Sequence, residues 1–291
     1  MQPLDKTLRN QLERAIKSAR GVAEAAARAA LEQIGVGEAA PPAYLDEPSR
    51  ALRRRLRAHG RQLGDALNGG KVQTIGHLVQ EVAYQHWHRM LFARFLADND
   101  LLMYEGVAVT LAECDELAPD EGAKSGWELA GSLAASMLPQ IFRHDAPLYE
   151  LSLPREHQHQ LEKLLANLPP AIFLALDSLG WVYQFWQADN KDQINKSGVK
   201  IGADELPAVT QLFTEDYMVD FLLDNTLGAW HAGKVLAAHP QLAEKAQSED
   251  ELRQAVALPG CPWHYLRFIR AHTPSPLAGE VHHNRPSPLA G

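Results

Sequence analysis

Gln73-Thr-Ile-Gly-His-Leu-Val-Gln-Glu-Val-Ala-Tyr-Gln-His-Trp-His-Arg-Met-Leu-Phe-Ala-Arg-Phe-Leu-Ala-Asp-Asn99 is the stretch that decides the fold class. Ile75, Leu78, Val79, Val82, Trp87, Met90, Leu91 and Phe95 recur in it at helical spacing, approximating a buried stripe. Asn99-Asp100 ends it. Upstream, residues 4–34 are rich in Ala, Arg, Glu and Leu, and Gly35, Gly37 and Pro41-Pro42 supply a stop and an irregular connection. A second helix is expected over 49–64, where Leu52, Leu56 and Leu63 mark one apolar face among arginines. Downstream, shorter helices are expected over 127–142, 154–168, 177–188, 216–232 and 240–257. Pro139, Pro147, Pro154, Pro169-Pro170, Pro207 and Pro259 punctuate them. Few runs alternate with period two, and no series of strands is capable of forming a doubly wound sheet. The expected fold is mainly α.

With 46% hydrophobic and 22% charged residues in a chain of 291, the bulk is globular and not intrinsically disordered. No run approaches the ~20 apolar residues of a membrane span, and residues 1–10 do not read as a secretory signal, so no membrane partner is expected. Cys114 and Cys261 lie far apart, which makes a reduced, cytoplasmic protein the default expectation. The net charge of −8 is unevenly placed: residues 1–71 hold 13 Lys+Arg against 8 Asp+Glu. Attraction of the whole molecule to nucleic acid is excluded, and any DNA contact needs a local basic patch in that first quarter.

Such a patch exists. Arg50, Arg54, Arg57 and Arg61 fall on one side of the 49–64 helix, a row able to grip successive phosphates of double-stranded DNA. The same run reads equally as a solvated helix face, or one paired with the acidic remainder of the chain. His86/His88 and His157/His159 are two residues apart, which separates each pair around a helix, and no metal site is expected. No nucleophile elbow, Walker loop or Gly-x-Gly-x-x-Gly is present, and no catalytic residue is nominated.

Near the end, Pro274-Ser-Pro-Leu-Ala-Gly279 recurs as Pro286-Ser-Pro-Leu-Ala-Gly291, so residues 271–291 are expected to form a disordered repeat tail. The richest segment runs from Asp177 to Trp230. Its first part reads as an aromatic core helix through Trp181 and Phe185, followed by a polar loop at 188–197. Its last part reads as a helix with Val219, Leu222, Leu223 and Leu227 in a stripe, and Thr214 placed to cap it.

Three pieces of that segment are Leu179-Gly-Trp-Val-Tyr-Gln-Phe-Trp186, Leu206-Pro-Ala-Val-Thr-Gln-Leu-Phe-Thr214 and Asn225-Thr-Leu-Gly-Ala-Trp230. In this order and spacing they resemble the region preceding the core of large adenine-specific DNA methyltransferases of the type IIG restriction–modification and phage-exclusion kinds. The run from Glu81 to Leu96 is similar to the helical N-terminal region of that family. The resemblance implies methyl transfer from S-adenosylmethionine to adenine N6 on a base taken out of the duplex. It places Phe213, Thr214 and Tyr217 beside the methionine end of the cofactor, with Glu215 standing where the family has proline. The family's Asp-Pro-x-x-Gly-Ser-Gly loop and Asn-Pro-Pro-Tyr motif do not occur in this sequence.

The expected organisation is a basic helical segment (1–71), a helical domain (72–176), a helical segment leading to a missing α/β core (177–270) and the tail (271–291). The resemblance implies a chain truncated before its catalytic core and inactive alone, and S-adenosylmethionine is not expected to bind it by itself. Two alternatives stay open: one subunit of a split methyltransferase that pairs with a separate core chain, and a non-catalytic helical DNA-binding protein.

Overall fold

In the computed structural model, residues 3–143, 146–198, 200–202, 206–210 and 213–268 are described. They divide into two units, 1–213 and 214–291. The repeat tail at 271–291 and Gln211 and Leu212 of the second quoted motif lie outside the described residues.

The first unit begins with α1 (Lys6–Gln33), capped by Asp5, whose carboxylate accepts the backbone N–H groups of Thr7 and Leu8. Ala19, Ala23, Ala26, Ala27 and Ala30 make its buried face narrow enough for neighbouring helices to approach closely. Then come α2 (Glu47–Gln62), capped by Asp46 with Pro48 in the first turn, and the two-residue hairpin β1 (Leu67–Asn68) and β2 (Val72–Gln73). The decisive stretch forms α3 (Gly76–Asp98). It is buried nearly all round rather than along one stripe, because Ala83, His86, Ala93 and Ala97 are covered as well.

A second hairpin follows, β3 (Met103–Tyr104) and β4 (Val107–Ala108), then α4 (Leu111–Leu117), held by a Thr110/Glu113 capping box, and α5 (Gly126–Met137). A 3-10 turn at Pro147–Glu150 leads to α6 (Arg155–Ala166), the short α7 (Pro170–Phe173), α8 (Ser178–Ser197) and α9 (Leu206–Thr210). The main core joins α1, α3, α6 and α8 around Leu12, Ile16, Leu31, Trp87 and Leu165. A smaller cluster ties the end of α3 to α4 and α5 through Leu102, Cys114 and Ala130. Among the described residues the only sheets are these two hairpins, so the architecture is mainly α, as the periodicity predicts.

The polar stretch 188–197 is helix rather than loop. It contains no proline or glycine, so α8 continues until Gly198 closes it in a left-handed conformation (φ 65°).

The second unit contains α10 (Asp216–Leu223), a π turn at Asp224–Gly228, and α11 (Ala229–Ala238), then α12 (Gln241–Lys245) and α13 (Glu249–Ala255). Glu215, not Thr214, occupies the N-cap position of α10, and no side chain caps it. The helix expected over 240–257 is two pieces, because Ser248 caps a new start by accepting the Glu251 N–H. Ala232, Val256, Trp263 and Leu266 form the core of this unit. Among the described residues, no helix is long and apolar enough to cross a membrane.

Candidate functional site

Each quoted motif has a definite structural role. In the first unit, Trp181, Val182, Phe185 and Trp186 of α8 are buried. Trp186 stacks on Trp87 of α3 at 6.1 Å, joining two of the segments that carry the resemblance. Asp177 is buried at the head of α8, where one carboxylate oxygen accepts the Leu4 N–H at 2.7 Å and the other the Trp181 indole N–H at 2.8 Å. Arg20 reaches from α1 to the Trp186 carbonyl (2.6 Å) and Asn190 Oδ1 (2.5 Å). The N-terminal helix is thus tied to the motif by bonds spanning more than 160 residues of sequence.

Phe213 completes the arrangement. Its ring lies 5.3 Å from that of Trp181, and its N–H donates to Gln184 Oε1 at 3.0 Å. A Cβ at Gly180 would fall within 3.0 Å of three carbons of the Phe213 ring, so the glycine is required by close approach. Phe213 is half-buried by this packing; Thr214 and Tyr217, in the second unit, are exposed.

The third motif organises the second unit. Asn225 donates to the Phe221 and Tyr265 carbonyls, both at 2.8 Å, and accepts the Arg267 N–H at 3.2 Å. Buried Asp224 accepts the Tyr265 N–H at 2.7 Å. Gly228 lies under the Trp263 indole, where a Cβ would meet ring carbons at 3.0–3.3 Å. Asn225 Nδ2 and the Thr226 hydroxyl both donate to carbonyls of the preceding turn, and the helix widens there into its π turn.

The arginine row on α2 is not uniform. Arg54 is exposed and pairs with Glu47 at 3.0 Å. Arg61 is exposed and donates to Gln73 Oε1 at 3.1 Å. Arg50 is half-buried, with its Nε enclosed. Arg57 is half-buried and donates to the carbonyls of Val36, Glu38 and Lys71, joining α2 to the α1–α2 connection and the first hairpin. Neighbouring Arg53 does likewise with the Gly35 (2.8 Å) and Glu38 (2.6 Å) carbonyls, and Arg55 makes a two-pronged pair with Glu150.

The histidines serve packing. His86 Nε2 bonds the Leu148 carbonyl at 3.0 Å, and burial, with Arg89 beside it, pulls its pKa down to about 4. His88 stacks on Tyr84 at 5.2 Å and is also brought to about 4 by burial. Among the described residues no group of three or more His, Cys, Asp and Glu is arranged to hold a metal ion.

Sequence reasoning passed over a cleft of about 190 Å³ lined by His86, Arg89, Lys124, Trp127, Tyr149 and Arg155, among others. Its one sequence signal was Arg89, which stands beside buried Met90 and Leu91 in the middle of α3.

Comparison with known proteins defines a class first: the chain is similar to adenine-specific methyltransferases. One relative is the adenine-specific methyltransferase PglX of Lacticaseibacillus casei (strain Zhang), 24% identical over a 222-residue alignment that takes in 62% of this chain and 18% of the relative. Another is the adenine-specific methyltransferase BrxX of Escherichia coli O9:H4 (strain HS), 34% identical over 68 residues, 23% of this chain and 6% of that protein. The chain therefore spans less than a fifth of the length of these curated relatives. No family profile and no solved structure matches it.

Proposed function

We propose that this chain is a helical docking and DNA-facing region of an adenine-N6 DNA methyltransferase system of the restriction–modification or phage-exclusion kind. Catalysis and S-adenosylmethionine then belong to a core of different fold. The observation that carries this reading is the apolar surface of α10 and α11. Phe221 is 42% exposed, and Leu222, Leu227 and Trp230 are 62%, 63% and 62% exposed. No residue of α10 is buried. Exposed apolar side chains gathered on one helical stretch fit an interface, and the similarity to methyltransferases supports a methyltransferase core as the partner.

Thr214 and Tyr217, by resemblance the wall for the methionine end of the cofactor, are exposed and free to face such a core, while Phe213 is shared with the packing of α8. Methyl transfer needs the sulfonium and the adenine amine held in line. The two motifs that do this in the family are missing from the sequence, so the chain alone is expected to transfer no methyl group.

The test is association with a methyltransferase core polypeptide carrying both motifs, followed by sedimentation. Wild type should form a complex, and the double variant L222E/W230E should not, with an unchanged helical circular dichroism signal. A wild type that stays apart from the core, or that methylates adenine by itself, overturns the proposal.

A second reading, duplex binding through α2, is favoured by the exposure of Arg54 and Arg61 on one side of that helix. It predicts affinity that falls steeply with salt and falls further in the R54A/R61A variant.

A further inference from the structure

We propose that the cleft between α3, α5, the Pro147–Glu150 turn and the start of α6 is an anion site, built to hold a phosphate-type oxyanion on Arg89. Arg20, Arg53, Arg57 and Arg94 each end on protein oxygens. Arg89 is half-buried, with its guanidinium carbon 4.6 Å over the Tyr149 ring and its stem against α5 at Gly131. Among the described residues, none of its N–H groups reaches an acceptor at hydrogen-bond distance. A half-buried guanidinium whose N–H groups face the cleft and its water rather than a protein oxygen is open to an oxyanion that can take them. Burial lowers the pKa of Arg89, partly offset by Tyr149 and Glu128 nearby.

The surroundings name the missing partner. Lys124 and Arg155 stand exposed on the same cleft, and Ser152 and Gln158 add a hydroxyl and an amide. Glu128 is the one carboxylate in the lining, and it is engaged: it accepts the Lys124 N–H at 2.6 Å and faces Lys124 Nζ at 3.9 Å. His86, in the same wall, is neutral at pH 7. Three cations and one carboxylate therefore line a single cleft in a chain whose net charge is −8. The guanidinium fork fits two oxygens of a tetrahedral oxyanion, and the ammonium, hydroxyl and second guanidinium suit the others. The cleft volume far exceeds the ~15 Å³ that admits one water. The site stands on this geometry alone and does not depend on the methyltransferase reading.

Two sources present the same chemistry: a phosphodiester of DNA, and free phosphate or a small phosphorylated molecule. Calorimetric titration of the full chain with inorganic phosphate, at matched ionic strength, tests the site. Wild type should bind at one site, R89Q should weaken binding about tenfold or more, and K124Q/R155Q should weaken it several-fold. The exposed rim pair keeps the test valid if R89Q does not fold. A short duplex oligonucleotide added in competition then separates the sources. Displacement of phosphate assigns the site to the DNA backbone, and lack of displacement assigns it to a small phosphorylated ligand. Absence of saturable phosphate binding by wild type, or binding that survives unchanged in K124Q/R155Q, overturns the proposal.

Discussion

The ring of Phe213 occupies the space into which any side chain on Gly180 would project. Two motifs that lie thirty-three residues apart in the chain are thereby one packed unit, closed by the Phe213–Gln184 hydrogen bond. The glycine in Leu179-Gly-Trp181 follows from that approach, and the aromatic residue at 213 is in the first place a packing group.

Gly180→Ala should therefore destabilise the first unit by about 1–3 kcal/mol, the usual cost of overpacking. The penalty should shrink when Phe213 is also truncated, because the clash is with that ring. Urea unfolding followed by tryptophan fluorescence of G180A, F213A and the double variant supplies the cycle. Additive losses would refute the contact.

Arg57 and Arg54 lie on the same side of α2 but should behave differently. Arg57→Gln strips the Val36, Glu38 and Lys71 carbonyls of a charged donor and should cost about 2–3 kcal/mol of stability. The Arg54–Glu47 pair is well over half exposed, so Arg54→Gln should cost less than ~0.5 kcal/mol. Of the two, only Arg54→Gln should reduce duplex affinity in a fully folded protein. Melting temperature beside fluorescence anisotropy in graded salt checks both; equal melting points would contradict the assignment for Arg57.

His86 and His88 are neutral in the folded state and resist protonation down to about pH 4, whereas in the unfolded chain they take up protons near the ordinary histidine value. Between those limits the unfolded state binds more protons, so stability is complete above about pH 6.5 and drains as pH falls toward 4. Each ring is worth roughly 3 kcal/mol at the low end of that window. Asp46, Glu113 and Glu150 have pKa values lowered below the ordinary carboxylate range, and their contribution is lost only at lower pH. The urea midpoint should fall measurably from pH 7 to pH 5, and less so in His86→Gln, which can keep a donor for Leu148. A flat profile over that range is the contrary result.

Asn225→Ala should free the 265–267 segment from α10 and the π turn. A loss of about 1–2 kcal/mol is expected in the second unit, with the Arg267 amide exchanging much faster and the α1 and α3 amides unchanged. Hydrogen exchange resolves this directly. Protection of Arg267 equal to wild type would mean that Asn225 does not hold the segment.

The regular elements were legible in the residues because their causes are local. Alanine-rich 4–34, the Leu52/Leu56/Leu63 face, the 73–99 stretch and the glycine and proline punctuation correspond to α1, α2, α3 and the connections between them. So was the likeness to adenine-specific methyltransferases, which depends on the order and spacing of motifs and not on contacts. Polarity does not mean irregularity at 188–197, which is helix, and a good capping residue stands one position from the cap at Thr214.

The use of each polar side chain was decided only by the tertiary structure. Whether Arg57 faces solvent or the Val36 carbonyl, whether His86 is a ligand or a buried donor to Leu148, and whether Arg89 is paired are settled by partners brought in from elsewhere in the chain. Helix propensity and apolar periodicity act within a few turns, so the residues themselves specify the helices. Burial and hydrogen-bond satisfaction act between helices, so they exist only once α1, α3, α5 and α8 have come together.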